Sequence, residues 1–173
     1  MTVLSGSTVT LRPTISDDVA VLADIRATPE VHRRWRGEDL DAGIAADLAD
    51  DDRHLYTVQT AASGEVIGLI QYSEESDPDY RHATVDVFLD PRVHGRGFGA
   101  DTVRTLVRHL VYELGHHRVT IDPAADNEAA IACYAKVGFR PVGVMRQYER
   151  TPDGSWADGL LMDLLASDAE LGP

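Results

Sequence analysis

The sequence predicts an α/β (mixed α+β) domain built on one central, mixed and mostly antiparallel sheet with helices on both faces. Two observations predict this class: helical stripes and β-branched strands alternate in the middle of the chain, and further strands flank that unit on both sides. A third observation concerns domain number, because the 173 residues contain no internal repeat, low-complexity tract or flexible linker. We therefore predict a single domain over residues 1–173.

The N-terminal half is predicted to contain one strand, two helices and then three strands. Alternating apolar residues indicate the strands, and apolar residues three and four positions apart indicate the helices. Ser16 or Asp17 is expected to cap the first helix, and Pro29 is expected to stop it. The predicted elements are a strand at 8–12, helices at 16–27 and 39–49, a hairpin of strands at 56–60 and 66–72, and a strand at 84–89.

The C-terminal half is predicted to start with the most regular helix of the chain. Its apolar stripe recurs at helical spacing from Val103 to Leu114, and Gly115 ends it. Asn127 is expected to cap a second helix that ends at Gly138. The remaining predicted elements are a strand at 118–121 between the two helices and two last strands at about 142–150 and 159–164, around a Pro-Asp-Gly turn at 152–154.

Charge and composition narrow the classes of partner. The 16 basic and 29 acidic residues give a net charge of −13, which repels nucleic acid and anionic membranes and attracts cations. Acidic residues concentrate at 38–52 and 74–79; a solvated surface explains the first cluster, and a field that gathers a polycationic substrate is the functional alternative. No secretory signal and no apolar run near the ~18 residues of a membrane span are visible. We therefore expect a cytoplasmic protein without nucleic-acid or membrane partners.

A glycine-rich loop joins a predicted strand to the long helix. It reads Asp-Pro-Arg-Val-His-Gly-Arg-Gly-Phe-Gly-Ala over residues 90–100, with three alternating glycines. Glycines allow backbone N–H groups to face a ligand, and the following helix adds unsatisfied N–H donors and the positive end of its dipole. The loop is therefore a candidate pyrophosphate-binding site with Arg92 and Arg96 at its rim, and a plain strand-to-helix turn is the alternative.

The same loop also fits the dinucleotide-binding pattern G-x-G-x-x-A over residues 95–100. Asp122 ends the next predicted strand, where that pattern expects an acid for the ribose. Two features count against this interpretation. Five residues separate the strand from the first glycine, and only 73 residues follow Ala100, too few for a doubly wound nucleotide domain and a substrate domain.

Two motifs together resemble the GNAT N-acetyltransferase superfamily. The loop His-Gly-Arg-Gly-Phe-Gly at 94–99 is similar to its Arg/Gln-x-x-Gly-x-Gly/Ala motif, with His94 in place of Arg or Gln. The segment Asn-Glu-Ala-Ala-Ile-Ala-Cys-Tyr-Ala-Lys-Val-Gly-Phe at 127–139 is similar to its N-x-x-A-x-x-x-Y-x-x-x-G-F pattern. The motifs cover residues 84–139, and the order of elements extends the resemblance over nearly the whole chain.

Within that superfamily the chain is most similar to aminoglycoside 6′-N-acetyltransferases. The residues that carry this likeness are Thr-Ile-Asp-Pro at 120–123, the segment 127–139, Thr-Pro-Asp-Gly at 151–154, the acidic stretch 74–78, and Trp-Arg-Gly at 35–37. The resemblance implies a sheet that splays around a coenzyme A cleft, acetyl-CoA as the cofactor, and a cationic small-molecule amine as the acceptor. The chain is expected to act as a monomer or homodimer.

The resemblance also assigns roles to individual residues. Asp86 is the implied base and Tyr134 the implied acid. The implied cofactor-binding residues are Phe88, Leu89, His94, Gly95, Arg96, Gly97, Phe98, Gly99, Ala100, Asn127 and Ala130. The implied substrate-binding residues are Trp35, Gln71, Glu74, Glu75, Asp86, Asp122 and Asp153.

Several of these residues also have a simpler structural explanation. Asp86 is then an exposed acid on a strand, Tyr134 a core aromatic, Asn127 a helix cap and Asp153 a turn residue. Alternative functions are a GNAT enzyme for a protein N-terminus, a polyamine or a small metabolite, and a non-catalytic acetyl-CoA-binding module. No metal site is predicted, because the seven histidines show no ligand spacing.

Overall fold

A computed structural model describes residues 2–151 and 153–168 of the chain. Over these residues it contains eight strands and five α-helices. The strands are β1 (Leu4–Ser5), β2 (Val9–Pro13), β3 (Arg53–Thr60), β4 (Val66–Glu75), β5 (His82–Leu89), β6 (Arg118–Ile121), β7 (Arg140–Arg150) and β8 (Trp156–Leu165). The helices are α1 (Val19–Arg26), α2 (Pro29–His32), α3 (Leu40–Ala49), α4 (Phe98–Arg108) and α5 (Glu128–Val137).

The strands form one mixed sheet in the order β1-β2-β3-β4-β5-β6-β8-β7. Strands β5 and β6 pair in parallel, which requires the crossover connection that α4 provides. The pairs β1–β2, β2–β3, β3–β4, β6–β8 and β7–β8 are antiparallel. The predicted α/β class with a mixed, mostly antiparallel sheet is therefore confirmed.

The chain divides into two compact units. The first comprises Met1–Ser73 and Asp86–Leu106, and the second comprises Glu74–Val85 and Val107–Pro173. A single domain over residues 1–173 stays a prediction.

The core of the first unit lies between its helices and strands β3 to β5. Its buried cluster comprises Leu22, Ala23, Ile25, Val31, Ile44, Leu55, Leu69 and Phe88, and Trp35 packs against it. The helical spacing of these apolar residues along α1 explains why one face of that helix is buried while Asp24 on the other face is exposed.

The core of the second unit lies beneath β6 and β8. It contains Val107, Leu110, Val119, Ile121, Tyr134, Val137, Phe139, Met162 and Leu164. The helix α4 continues through one π-helical turn at His109–Glu113, so the predicted apolar stripe extends as far as this turn. Gly115 follows in a left-handed conformation with a φ of 72°, as predicted for the end of the helix.

Three local features differ from the sequence predictions. Pro29 occupies the first turn of the short helix α2. The N–H groups of a first turn make no intrahelical hydrogen bond, so the lack of an N–H costs nothing there, and Pro29 starts a helix as well as ending one. The cap of the first helical segment does not come from Ser16 or Asp17, because the carboxylate of Asp18 accepts from the Ile15 N–H instead. Strand β1 was not predicted, since two residues carry no periodic signal.

Candidate active site

The glycine-rich loop of the first unit exposes its backbone. Gly95 and Gly97 have φ values of 71° and 88°, a left-handed conformation that residues with a Cβ rarely adopt. A Cβ built on either glycine meets nothing within 4 Å, so the loop faces open space. Phe98 starts α4, whose first turn presents unsatisfied N–H donors and the positive end of the dipole. These features fit a pyrophosphate group.

The polar side chains of the loop hold it in place. The Arg92 guanidinium donates to the Asp90 carboxylate at 2.6 Å, and this hydrogen bond lowers the pKa of Asp90 from its ordinary value. The His94 ring Nε2 lies 3.0 Å from the Leu89 carbonyl oxygen, so His94 binds the end of β5. The exposed Arg96 guanidinium lies 5.3 Å from the Phe98 ring centre. Of the two arginines predicted at the rim, Arg92 pairs with Asp90 and Arg96 stacks on Phe98.

The buried Asp101 carboxylate fixes the start of α4 against the turn between β1 and β2. It accepts from the Ser7 N–H at 3.2 Å, the Thr8 N–H at 2.6 Å, the Thr8 hydroxyl at 2.8 Å and the Val9 N–H at 3.2 Å. Burial acts to raise the pKa of Asp101, but these hydrogen bonds outweigh it and the pKa lies below its ordinary value. Sequence reasoning missed this residue, because its partners lie more than 90 positions away.

Asp86, the proposed base, is an exposed residue of β5 between buried Val85 and half-buried Val87. Arg26, at the end of α1, lies close enough for the two charges to interact. Burial lowers the pKa of Arg26, and the carboxylates of Asp47 and Asp86 oppose that shift. Asp86 therefore has a cation as its neighbour in the first unit.

The same arginine organises the segment that carries Trp35. Its Nε donates to the Trp35 carbonyl at 3.0 Å, and an Nη donates to the Arg36 carbonyl. Its Cζ lies 5.7 Å from the centre of the indole, which contacts Phe88 edge-to-face at 5.0 Å. The structure thus brings three predicted site residues together: Trp35, Phe88 and Asp86.

Strand β4 approaches β5 very closely at Gly68. A Cβ on Gly68 would lie 2.2 Å from the Phe88 carbonyl oxygen, so only glycine fits. Three residues further along β4, Gln71 is only 6% exposed, and its Oε1 has no hydrogen-bond partner among the described residues. A buried acceptor without a partner costs free energy, which makes Gln71 a candidate for binding a ligand donor.

Two glutamates at the end of β4 make hydrogen bonds within the second unit. Glu74 accepts from or shares a proton with Nε2 of the fully buried His116 at 2.6 Å. Burial lowers the pKa of His116, and the Glu74 bond opposes this. Glu75 is exposed and accepts from the Asp77 N–H at 2.9 Å. Glu74 is therefore part of a structural pair, and His116 is a partner that the sequence did not indicate.

Asp122 lies just beyond the end of β6 and is half-buried. The Tyr148 hydroxyl of β7 donates to its carboxylate at 2.5 Å. Tyr148 lies against Gly159 of β8, where a Cβ would be 2.8 Å from the phenol ring. The ring therefore rests on a position without a side chain, and its hydroxyl fixes the direction of the Asp122 carboxylate. Sequence reasoning missed Tyr148, which is separated from Asp122 by 26 positions.

Asp153 belongs to the turn between β7 and β8. Its carboxylate accepts from the Thr151 hydroxyl at 2.5 Å and from the Ser155 N–H and hydroxyl at 3.0 and 2.7 Å. The Thr151 bond and the Ser155 bonds lower the pKa of Asp153 to about 2. The structural explanation of Asp153 as a turn residue is confirmed, and Pro152 of the predicted turn lies outside the described residues.

Helix α5 carries the second motif. The Asn127 Oδ1 accepts from the Ala130 N–H at 3.3 Å, so Asn127 caps the helix as predicted. Tyr134 is 9% exposed, and its ring centre lies 6.3 Å from that of Phe139. Asp86 and Tyr134 belong to different compact units.

Two classes of feature are absent from residues 2–151 and 153–168. No three His, Cys, Asp or Glu side chains there are grouped so that they can hold a metal ion. None of the helices within that same part of the chain is long and apolar enough to cross a bilayer.

Comparison with known proteins identifies relatives over most of the chain. The family model described as the acetyltransferase (GNAT) domain matches residues 8–140. The aminoglycoside N(6′)-acetyltransferase type 1 of Klebsiella pneumoniae is 30% identical over 172 residues, covering 87% of this chain and 81% of that protein. The N-alpha-acetyltransferase RimI of Mycobacterium tuberculosis is 32% identical over 110 residues, covering 63% of this chain and 65% of that protein.

Solved structures show the same fold. The spermidine N-acetyltransferase of Vibrio cholerae, in complex with CoA and spermine, superposes with a TM-score of 0.80 and covers 94% of this chain and 98% of that one. Its sequence identity is 21%, so this likeness concerns the fold alone.

Proposed function

Because the chain belongs to the GNAT acetyltransferase family, we propose that it acetylates a primary amine of a cationic small molecule, with the 6′-amino group of aminoglycoside antibiotics as its acceptor. The chain is an acetyl-CoA-dependent N-acetyltransferase of the acyltransferase class. The observation that carries the choice of acceptor is the 30% identity, over 87% of this chain, to an aminoglycoside N(6′)-acetyltransferase. The net charge of −13 supports a cationic acceptor.

The donor side of the proposed site includes the glycine-rich loop of the first unit. Acetyl-CoA supplies an activated acetyl thioester when it is bound. The backbone N–H groups from Gly95 to Ala100 are proposed to bind its pyrophosphate, and Arg96 adds a positive charge that is exposed at the loop. The His94 ring contacts the Leu89 carbonyl and so holds this loop against the end of β5. The family resemblance implies cofactor contacts for Asn127 and Ala130 of α5 as well.

The acceptor side centres on Asp86. An ammonium group has no lone pair, so it must lose a proton before it can attack a carbonyl carbon. We assign that proton to the Asp86 carboxylate, directly or through water. Its exposure on β5 makes it accessible to a charged amine, and its own charge attracts that amine.

Two further groups are proposed to stabilise charge during the reaction. The backbone N–H groups of Phe88 and Leu89 would donate to the carbonyl oxygen as it becomes negative, a contribution of about 10²–10³ in rate for one such donor. The Tyr134 hydroxyl is proposed to hold the proton that the leaving sulfur requires, since a phenol pKa near ~10 is close to that of a thiol.

The other candidate residues for binding the acceptor's amino groups can be ranked by the hydrogen bonds that their side chains already make. Asp122, oriented by Tyr148, and Gln71, whose buried Oε1 has no partner among the described residues, are the best supported. Trp35 offers an aromatic face. Glu75 is exposed, whereas Glu74 and Asp153 already accept strong hydrogen bonds from His116 and from the turn.

A peptide amine is the second candidate acceptor. The 32% identity to an N-alpha-acetyltransferase favours it, although that match covers only 63% of this chain.

We propose that the enzyme acts in the cytoplasm as a monomer or homodimer. Light scattering of the purified protein measures its oligomeric state.

The decisive experiment is thiol release from acetyl-CoA with a panel of amines. The panel contains kanamycin, tobramycin, amikacin, spermidine and a short peptide with a free N-terminus. We expect saturable release with the aminoglycosides that carry a 6′-amino group and acetylation at that nitrogen by mass spectrometry. Release with only the peptide or spermidine would contradict the aminoglycoside assignment while leaving the enzyme class intact.

Replacement of Asp86 tests the proposed base. We expect Asp86→Asn to lower kcat/KM by about 10²–10⁴-fold, because general-base catalysis contributes that much. Coenzyme A affinity, measured by calorimetry, should not change. Asp24→Asn, at an exposed position of α1, removes the same charge and serves as the control. Equal kcat/KM values for the two variants would exclude Asp86 as the base.

A further inference from the structure

Arg26 takes no part in the mechanism above, yet its guanidinium has several partners in the first unit. It donates to the backbone carbonyls of Trp35 and Arg36, and its Cζ lies 5.7 Å from the indole centre. Glycines line the space around it: a Cβ would lie 3.4 Å from one of its nitrogens at Gly37 and 3.6 Å at Gly43. Arg26 is therefore a half-buried cation enclosed by backbone.

These contacts fix the segment between α2 and α3. Trp35 lies three residues beyond α2. Its N–H donates to the Val31 carbonyl at 2.8 Å, and its carbonyl accepts from Arg26. The planar fork of an arginine is suited to two carbonyls at once, and a lysine ammonium is not. Trp35 in turn contacts Phe88 edge-to-face at 5.0 Å, two positions beyond Asp86 on β5.

The guanidinium also places a fixed charge beside the proposed base. The acidic groups that act on Arg26 are Asp47 of α3 and Asp86 of β5. Asp47 already lies 3.5 Å from the guanidinium of Arg53. Arg26 therefore acts on the stretch of β5 that carries both Asp86 and Phe88.

We propose that Arg26 is a positioning residue for the acceptor side of the site. Its fork holds Trp35 against Phe88. This inference rests on the proposed function, because it takes Asp86 as the base and Trp35 as an acceptor contact. The fork can be tested apart from the charge, since lysine retains the charge and loses the fork.

The test compares Arg26→Gln and Arg26→Lys with Arg33→Gln, an exposed arginine in the same region, as the control. All variants carry Trp156→Phe, so that Trp35 is the only tryptophan. For Arg26→Gln we expect a shifted Trp35 emission, stronger acrylamide quenching and a loss of about 10- to 100-fold in kcat/KM, mostly through the acceptor KM. Arg26→Lys should show the same Trp35 changes and the higher KM, because it lacks the planar fork.

The outcomes distinguish this inference from the proposed function. Trp35 emission and quenching can be measured without turnover. If the enzyme acetylates no amine in the panel, the acceptor assignment is contradicted, but the effect of Arg26 on Trp35 can still be measured. If Arg26→Gln is indistinguishable from Arg33→Gln in Trp35 emission and in acceptor KM, the inference is overturned. If Arg26→Gln does not melt cooperatively, Arg26→Lys decides: parental emission and acceptor KM overturn it, and changes in both support it.

Discussion

Two carboxylates, at the start of α4 and in the turn between β7 and β8, accept similar numbers of hydrogen bonds but hold different amounts of structure. Asp101 is buried and binds the N–H groups of three residues that lie 92 to 94 positions away. Asp153 is exposed, and its partners among the described residues are Thr151 and Ser155, two positions away on either side. Asp101 connects two distant parts of the first unit, whereas Asp153 shapes its own turn.

The difference follows from what replaces each set of bonds when the carboxylate is lost. Water can hydrogen-bond to the donors around Asp153, because they are exposed. The donors around Asp101 are partly buried, and an unsatisfied buried donor costs about 1–3 kcal/mol. The lowered pKa of both acids is therefore a poor guide to their importance for stability, and burial together with sequence separation is a better one.

The largest expected effect is on Asp101→Asn. The amide nitrogen of asparagine would face N–H donors that it cannot accept from, so we expect a loss of about 2–3 kcal/mol in the free energy of unfolding at pH 7. Urea denaturation measures this loss. Asp41→Asn is the matched control, because Asp41 is also an acid in the first turn of a helix but is exposed. Equal losses in the two variants would mean that the helix dipole, and not the contact with residues 7–9, accounts for the effect.

Acid pH should reduce the difference between the parent and Asp101→Asn. A carboxylate whose pKa is lower in the folded state stabilises the protein fully above its unfolded pKa of about 3.9, and this stabilisation is lost as the pH falls toward the folded pKa. The gap in melting temperature between the two proteins is therefore expected to narrow below about pH 4. Melting curves from pH 6 to pH 3 check this, and a gap that stays constant would contradict the role of ionised Asp101.

An intermediate effect is expected for Tyr148→Phe, which removes the hydroxyl that orients Asp122. The bond joins two different elements but lies at the surface, so we expect the acceptor KM to rise about threefold to tenfold with little change in kcat. Steady-state kinetics with the best acceptor measure this. Tyr112→Phe, at an exposed position of the π-helical turn, is the control. An unchanged acceptor KM in Tyr148→Phe would remove Asp122 from the proposed acceptor site.

The smallest effect is expected for Asp153→Asn. Its partners lie within the same exposed turn, and water can replace the carboxylate. We expect a melting temperature and an acceptor KM equal to those of the parent within error. A clear rise in the acceptor KM would restore Asp153 to the set of substrate contacts and would break the contrast with Asp101.

The regular elements of the fold were predictable because their signals are local. The apolar stripe of α4, the cap at Asn127 and the pairing of β3 with β4 around residues 62–65 all follow from spacing within a few turns or strands. Strand β1 was not, since its two residues are recognisable only through their pairing with β2. Pro29 shows a related ambiguity, because the same residue ends one helix and begins the next.

The candidate site was predictable only where a motif or a turn marks it. The sequence pattern identifies Gly95, Gly97 and the turn at Asp153, and the structure shows the conformations expected for them. No local sequence motif identifies Arg26 or Asp101, because each acts through contacts with residues that are distant in the sequence. Sequence reasoning therefore named the groups proposed to meet the ligands and missed those that hold them in place.

The self-contained bonding of the turn between β7 and β8 bears on how this enzyme can diversify. Its hydrogen bonds join residues 151 and 155, so we expect an insertion or a replacement there to leave the ladders of β7 and β8 unchanged. Changes in length and composition at this turn should therefore cost little stability. A side chain at Gly68 should cost much more, because it would collide with β5. A randomised library confined to this turn would explore new surface chemistry without eroding the scaffold that carries it.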